Sequence, residues 1–166
     1  MKGLSTKELE FVSWLEFYKK YFFESKDADR FAKNRVRRYN LIKNLVKKKR
    51  IVKLNKTKYY LIPVKAKSGG WTEHPFLIAD EICNGEHYFI GGWAAAQYWR
   101  LTDQIPQQFD IFTTRRQGKK NVLNTVLVFH RTTKKCTAKA AIQELQGHSF
   151  HIQPKEDAEK WMRSRR

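Results

Sequence analysis

A helix-patterned run from residue 34 to about residue 49 passes directly into two β-rich runs, 50–54 and 59–64. The turn Asn55-Lys56-Thr57-Lys58 joins those two runs into a hairpin. Upstream, Ser5 and Glu8 have the spacing of a capping box, and Leu4 and Leu9 that of a hydrophobic staple. Phe11, Val12, Leu15, Tyr18 and Phe22 continue as the buried stripe of a helix of about 17 residues. Residues 25–31 suggest a short second helix capped by Ser25, and Asn34 can cap the third.

Helix, short helix, helix, hairpin is the order of a winged helix-turn-helix, expected over residues 1–67. Residues 65–70 have linker character, ending in Ser68-Gly69-Gly70. Beyond them, Thr72 or His74 can cap a helix with Pro75 in its first turn, ending before Gly85. Strands are expected at 87–90, 109–113 and 126–130, a helix at 93–100, a further strand at 150–152 and a helix at 155–163. Residues 138–145 are ambiguous: they have helical propensity, but Cys136-Thr137 and Gly147 crowd them. The expected fold class is α+β: a winged helix followed by a small α/β domain with a mixed sheet over 68–166.

The formal net charge is +18. Residues 1–67 hold 20 Lys and Arg against 6 Asp and Glu, whereas residues 68–166 hold 14 against 10. Concentrated positive charge costs self-repulsion and suits a polyanionic partner. No apolar run is long enough to span a membrane, and no signal-peptide pattern is present. Cys83 and Cys136 form no Cys-x-x-Cys and suit reduced, buried thiols. The expected setting is the cytoplasm.

On a helical wheel, Val36, Tyr39, Ile42, Leu45 and Val46 cluster on one side of the third helix. Lys33, Arg37, Asn40, Asn44 and Lys47 fall on the other, with Lys43 beside them. That polar set contains no acid, whereas an ordinary solvated helix mixes Glu with Lys. Arg and Asn are the side chains that pair bidentately with guanine and adenine in the major groove. Lys53, Lys56 and Lys58 on the hairpin are placed for backbone phosphates. Arg35 and Arg38 lie nearer the apolar arc, where both can pair with Asp27, Asp29 or the first helix, and Arg35, in the first turn, can equally reach a phosphate. The run 47–50 also complements the helix C-terminal dipole. Arg115, Arg116, Lys119 and Lys120 form a second candidate basic patch.

Ile90-Gly91-Gly92-Trp93, followed by Phe109-Asp110-Ile111-Phe112, has the outline of a nucleotidyltransferase. Two-metal chemistry needs two carboxylates on one strand face, two residues apart. Phe112 stands where the second belongs. Gly91-Gly92 then reads as a tight turn from strand to helix. His148 and His151 would face opposite sides of a strand, and His130 suits a structural role. There is no Walker loop and no Gly-x-Ser-x-Gly elbow, so neither catalytic residues nor a cofactor or metal are expected. Trp71, Trp93, Trp99 and Trp161 suit a core, although Trp99-Arg100 and the 115–120 loop keep an RNA-binding adaptor open. The enzyme alternative is an inactive nucleotidyltransferase relative.

Two segments carry a family resemblance. The block Leu45-Val46-Lys47-Lys48-Lys49-Arg50-Ile51-Val52-Lys53-Leu54, with Tyr59-Tyr60-Leu61-Ile62-Pro63, is the first. The second runs from Tyr88-Phe89-Ile90-Gly91-Gly92 through Leu101-Thr102-Asp103-Gln104-Ile105-Pro106 to Phe112-Thr113-Thr114-Arg115-Arg116. Over residues 40–63 and 88–131 the chain resembles the AbiEi-type antitoxins of abortive-infection toxin–antitoxin systems. The resemblance implies a transcriptional repressor that binds inverted repeats upstream of its own operon, with two copies on the double-stranded DNA. It also implies a toxin of the nucleotidyltransferase class, countered without a stable complex.

Overall fold

Ser5 starts the first helix: its hydroxyl accepts from the Glu8 N–H, and the Glu8 carboxylate accepts from the Ser5 N–H at 2.7 Å. Helix α1 spans Thr6–Phe17. It stops there because Lys19 turns left-handed (φ 51°), and the N–H groups of Lys19 and Lys20 donate back to Glu16 and Leu15. The expected continuation to Phe22 therefore fails. Phe22–Glu24 instead forms strand β1, and Tyr18 is exposed. A 3-10 helix, Ser25–Phe31, follows, capped by Glu24 rather than Ser25. Helix α2 spans Arg35–Lys47, with Asn34 capping it through the Arg37 N–H at 2.9 Å. Lys49, at φ 55°, closes it as Lys19 closes α1. Strands β2 (Ile51–Lys53) and β3 (Lys58–Leu61) complete an antiparallel sheet in the order β1-β3-β2. Phe11, Leu15, Phe23, Leu41, Leu45 and Leu61 lie in its core.

The computed structural model describes residues 3–63 and 73–165. The chain divides into two compact units, Met1–Trp71 and Thr72–Arg166. The expected linker at 65–70, Trp71 and the Thr72 cap lie outside the described residues.

In the second unit, His74 caps helix α3, Pro75–Cys83, which ends on a left-handed Asn84. Strand β4 (Tyr88–Gly91) leads into helix α4 (Gly92–Tyr98). Strands β5 (Phe109–Thr113), β6 (Gly118–Val122) and β7 (Thr125–Arg131) follow. A short helix α5 (Lys134–Thr137) precedes β8 (Ala141–Leu145), β9 (His148–Ile152) and helix α6 (Lys155–Arg163). One six-stranded sheet results, in the order β6-β7-β5-β4-β9-β8. It is mixed: β4–β9 and β5–β7 are parallel, the other three pairings antiparallel. Tyr88, Ile90, Ile111, Leu127, Phe150 and Ile152 bury one face. The ambiguous segment resolves as strand because residues 141–145 pair along the whole of β9. Among the described residues no helix is long and apolar enough to cross a membrane.

Gly91 and Gly92 make the turn from β4 into α4 by close approach. A Cβ on Gly91 would sit 2.7 Å from the Phe112 ring, and Gly92 has φ +62° with Asp110 Oδ2 3.0 Å from its missing Cβ. Phe112 cannot give way easily, because it stacks between Phe89 and His130 with ring centroids 4.9 Å away on each side. Gly91→Ala is expected to lower stability by about 1–3 kcal/mol, read from the urea midpoint. A midpoint unchanged from wild type would show that the ring stack is not rigid.

Candidate nucleic-acid interface

Helix α2 buries Leu41, Ile42 and Leu45. That inward face differs from the expected one. Val36 (67% exposed), Tyr39 (62%) and Val46 (39%) point outward, and only Ile42 and Leu45 of the expected apolar set are buried. Leu41, absent from that set, occupies the core. The helix is thus rolled so that Leu41 replaces Val46 as the third inward aliphatic. Lys33, Arg37, Asn40, Lys43, Asn44 and Lys47 all remain exposed. They separate into two groups. Val36, Tyr39, Asn40, Lys43 and Lys47 recur at i, i+3, i+4, i+7 and i+11, forming a crest opposite the buried residues. Lys33, Arg37 and Asn44 lie on the flank, where with Asn40 they line a cleft of about 540 Å³ between α2, α1 and the 3-10 helix.

The basic residues on the inner side have local partners. Arg38 pairs with Asp29, and Lys20 pairs with Asp27 at 2.8 Å. Lys48 reaches Glu8 at 2.5 Å and the Gly3 carbonyl at 2.8 Å. Burial works against the Glu8 carboxylate, yet the Lys48 ammonium and the Ser5 N–H and hydroxyl hold its pKa below the usual value. Arg35 is exposed and forms no ion pair among the described residues. No Asp or Glu occurs in the sequence between Asp29 and Glu73. Nothing on the sequence between them can neutralise the crest from its own segment.

The hairpin beside α2 is held by Asn55, whose side-chain oxygen accepts from the Thr57 and Lys58 N–H groups, each at 2.9 Å. Lys53 and Lys56 are exposed, whereas Lys58 is half-buried in β3.

In the second unit Arg115 and Arg116 are engaged by neighbouring groups. Arg115 is bonded to Glu86 at 3.0 Å and to the Cys83 carbonyl. Arg116 lies 4.2 Å over the Phe129 ring. Lys119 and Lys120 sit on strand β6, where successive side chains face opposite sides. Asp110 pairs with His130 at 2.8 Å and is the lone carboxylate on β5. Cys83 is buried, and burial pushes its thiol up to about 12, whereas Cys136 is exposed rather than buried as expected. One further cluster joins residues far apart in sequence: Asp80, Glu81 and His148 bring their ligand atoms within 4.8 Å of one another. Asp80 accepts the Tyr88 hydroxyl at 2.7 Å on one oxygen and meets His148 Nε2 at 2.9 Å on the other. Each Asp80 oxygen thereby has a protein partner.

Compared with known proteins, the chain matches no family model and no curated sequence.

Proposed function

We propose that this chain binds double-stranded DNA and regulates transcription, its first unit acting as a winged helix with α2 in the major groove. The carrying observation is the outward side of α2. It offers Lys43, Lys47, Arg37, Asn40 and Asn44 to solvent, with no acid on the same segment. Arg and Asn there can read guanine and adenine edges. Lys53 and Lys56 on the hairpin then contact phosphates, which set register rather than sequence. The resemblance over residues 40–63 and 88–131 extends the proposal to a cytoplasmic antitoxin that represses its own operon. Two copies then sit on an inverted repeat, opposed to a toxin of the nucleotidyltransferase class without a stable complex. The lone carboxylate of β5 supports regulation rather than nucleotidyl transfer by this chain, since two-metal chemistry needs a pair.

The test starts by selecting a preferred duplex from a random pool. Arg37→Ala and Asn40→Ala are expected to weaken that duplex by about 1–3 kcal/mol each and to relax preference at one position. Lys53→Ala and Lys56→Ala are expected to weaken selected and random duplex alike. Equal losses on both duplexes for Arg37→Ala and Asn40→Ala would remove α2 from base reading. Structured RNA outcompeting duplex at physiological salt would favour an RNA-binding adaptor instead.

A further inference from the structure

The crest of α2 carries two apolar side chains that stay mostly in solvent. Val36 is 67% exposed in the first turn, and Tyr39 is 62% exposed one turn on. A β-branched residue on the exposed face of a helix gains neither propensity nor burial. Scattered surface hydrophobics need no explanation. These two are neighbours, and they share their stripe with Asn40, Lys43 and Lys47. The Lys43 ammonium lies 5.8 Å from the centre of the Tyr39 ring, so the aromatic surface sits under a cation.

We infer that Val36 and Tyr39 read thymine, by packing against its 5-methyl group in the major groove. This rests on the DNA-binding reading of α2. A recognition helix meets base edges through its N-terminal residues, and Val36 and Tyr39 are in the first half of α2. Thymine is the one base that offers a methyl group there, and apolar side chains are its natural partner. The charge around the pair suits duplex DNA rather than a protein helix: the exposed neighbours are cations and an amide. Asn40, one residue on, supplies the matching reader for adenine. The crest therefore prefers sites containing A·T pairs.

The test uses the full chain and its selected duplex. Each thymine is replaced in turn by uracil, which removes the methyl group and leaves every hydrogen-bonding edge in place. At one or two positions wild-type affinity is expected to fall about fourfold, the worth of one buried methyl. Val36→Ala is expected to lose a similar factor on the thymine duplex and to become indifferent to uracil at its position, a coupling shown by the double-mutant cycle. Ala is the best helix former, so this variant keeps the fold, checked by an unchanged unfolding midpoint. A protein that still selects a sequence yet binds every uracil duplex as well as the thymine parent overturns this inference and leaves the DNA reading intact. A protein that selects no duplex overturns both. A Val36→Ala variant that changes the sedimentation of the free protein, with no response to uracil, assigns the crest to self-association and overturns it as well.

Discussion

Raising salt from about 50 to about 200 mM is expected to weaken duplex binding by roughly three to four orders of magnitude. Exposed cations on and beside α2 that are left for phosphates include Lys33, Arg35, Lys43, Lys47, Lys49, Lys53 and Lys56. Arg38 and Lys48 are discounted, because Asp29 and Glu8 hold them. With six to seven phosphate contacts, log K falls against log salt at a slope of roughly −5 to −6. Binding measured by fluorescence anisotropy across a salt series checks this. A slope shallower than about −2 would mean that most of these side chains touch no phosphate.

The second large effect concerns stability. Lys48→Ala leaves the Glu8 carboxylate, whose side chain is 3% exposed, without its cation. Removing one partner of a buried pair costs about 3 kcal/mol, more than the pair itself contributes. Its loss shows as a lower urea midpoint at neutral pH. Glu8→Gln in the same background is expected to recover part of it, because the amide still accepts the Ser5 N–H. The pH dependence has a definite sign. In the wild type the Glu8 pKa is lowered. Its contribution is therefore present above the ordinary carboxylate range and fades as pH falls through that range toward the lower folded value. In Lys48→Ala, burial acts with less opposition and raises the Glu8 pKa relative to wild type. The deficit of the variant then shrinks as pH falls. A deficit that stays constant from neutral to acid pH would exclude an electrostatic origin.

Features set by neighbouring residues were legible in the sequence. The Ser5–Glu8 capping box and the Asn34 cap depend on side chains three residues apart, and both bonds form. The His74–Pro75 start of α3 and the bounds of β5 are of the same kind. Helix ends were harder. Lys19, Lys49 and Arg100 hold positive φ where Gly is the usual residue, so α1 carried no stop signal and Phe22 passed for helix. Its place is set instead by pairing with Tyr60 across β1 and β3. The roll of α2 is hidden from local pattern for a related reason. Its apolar residues ring much of the helix, and only contact with α1 and the sheet decides that Leu41 goes in and Val36 stays out. Asp80 and His148 lie 68 residues apart, a meeting that no local pattern announces.

The most direct measurement is lysine-modification footprinting of the full chain, with and without its selected duplex. Lys43, Lys47, Lys53 and Lys56 are expected to lose reactivity on binding. Lys119, Lys134 and Lys160, outside the first unit, are expected to react as before, and Lys48, engaged with Glu8, stays slow throughout. Protection confined to Lys119 and Lys134, with Lys43 and Lys47 still reactive, would contradict a groove-bound α2.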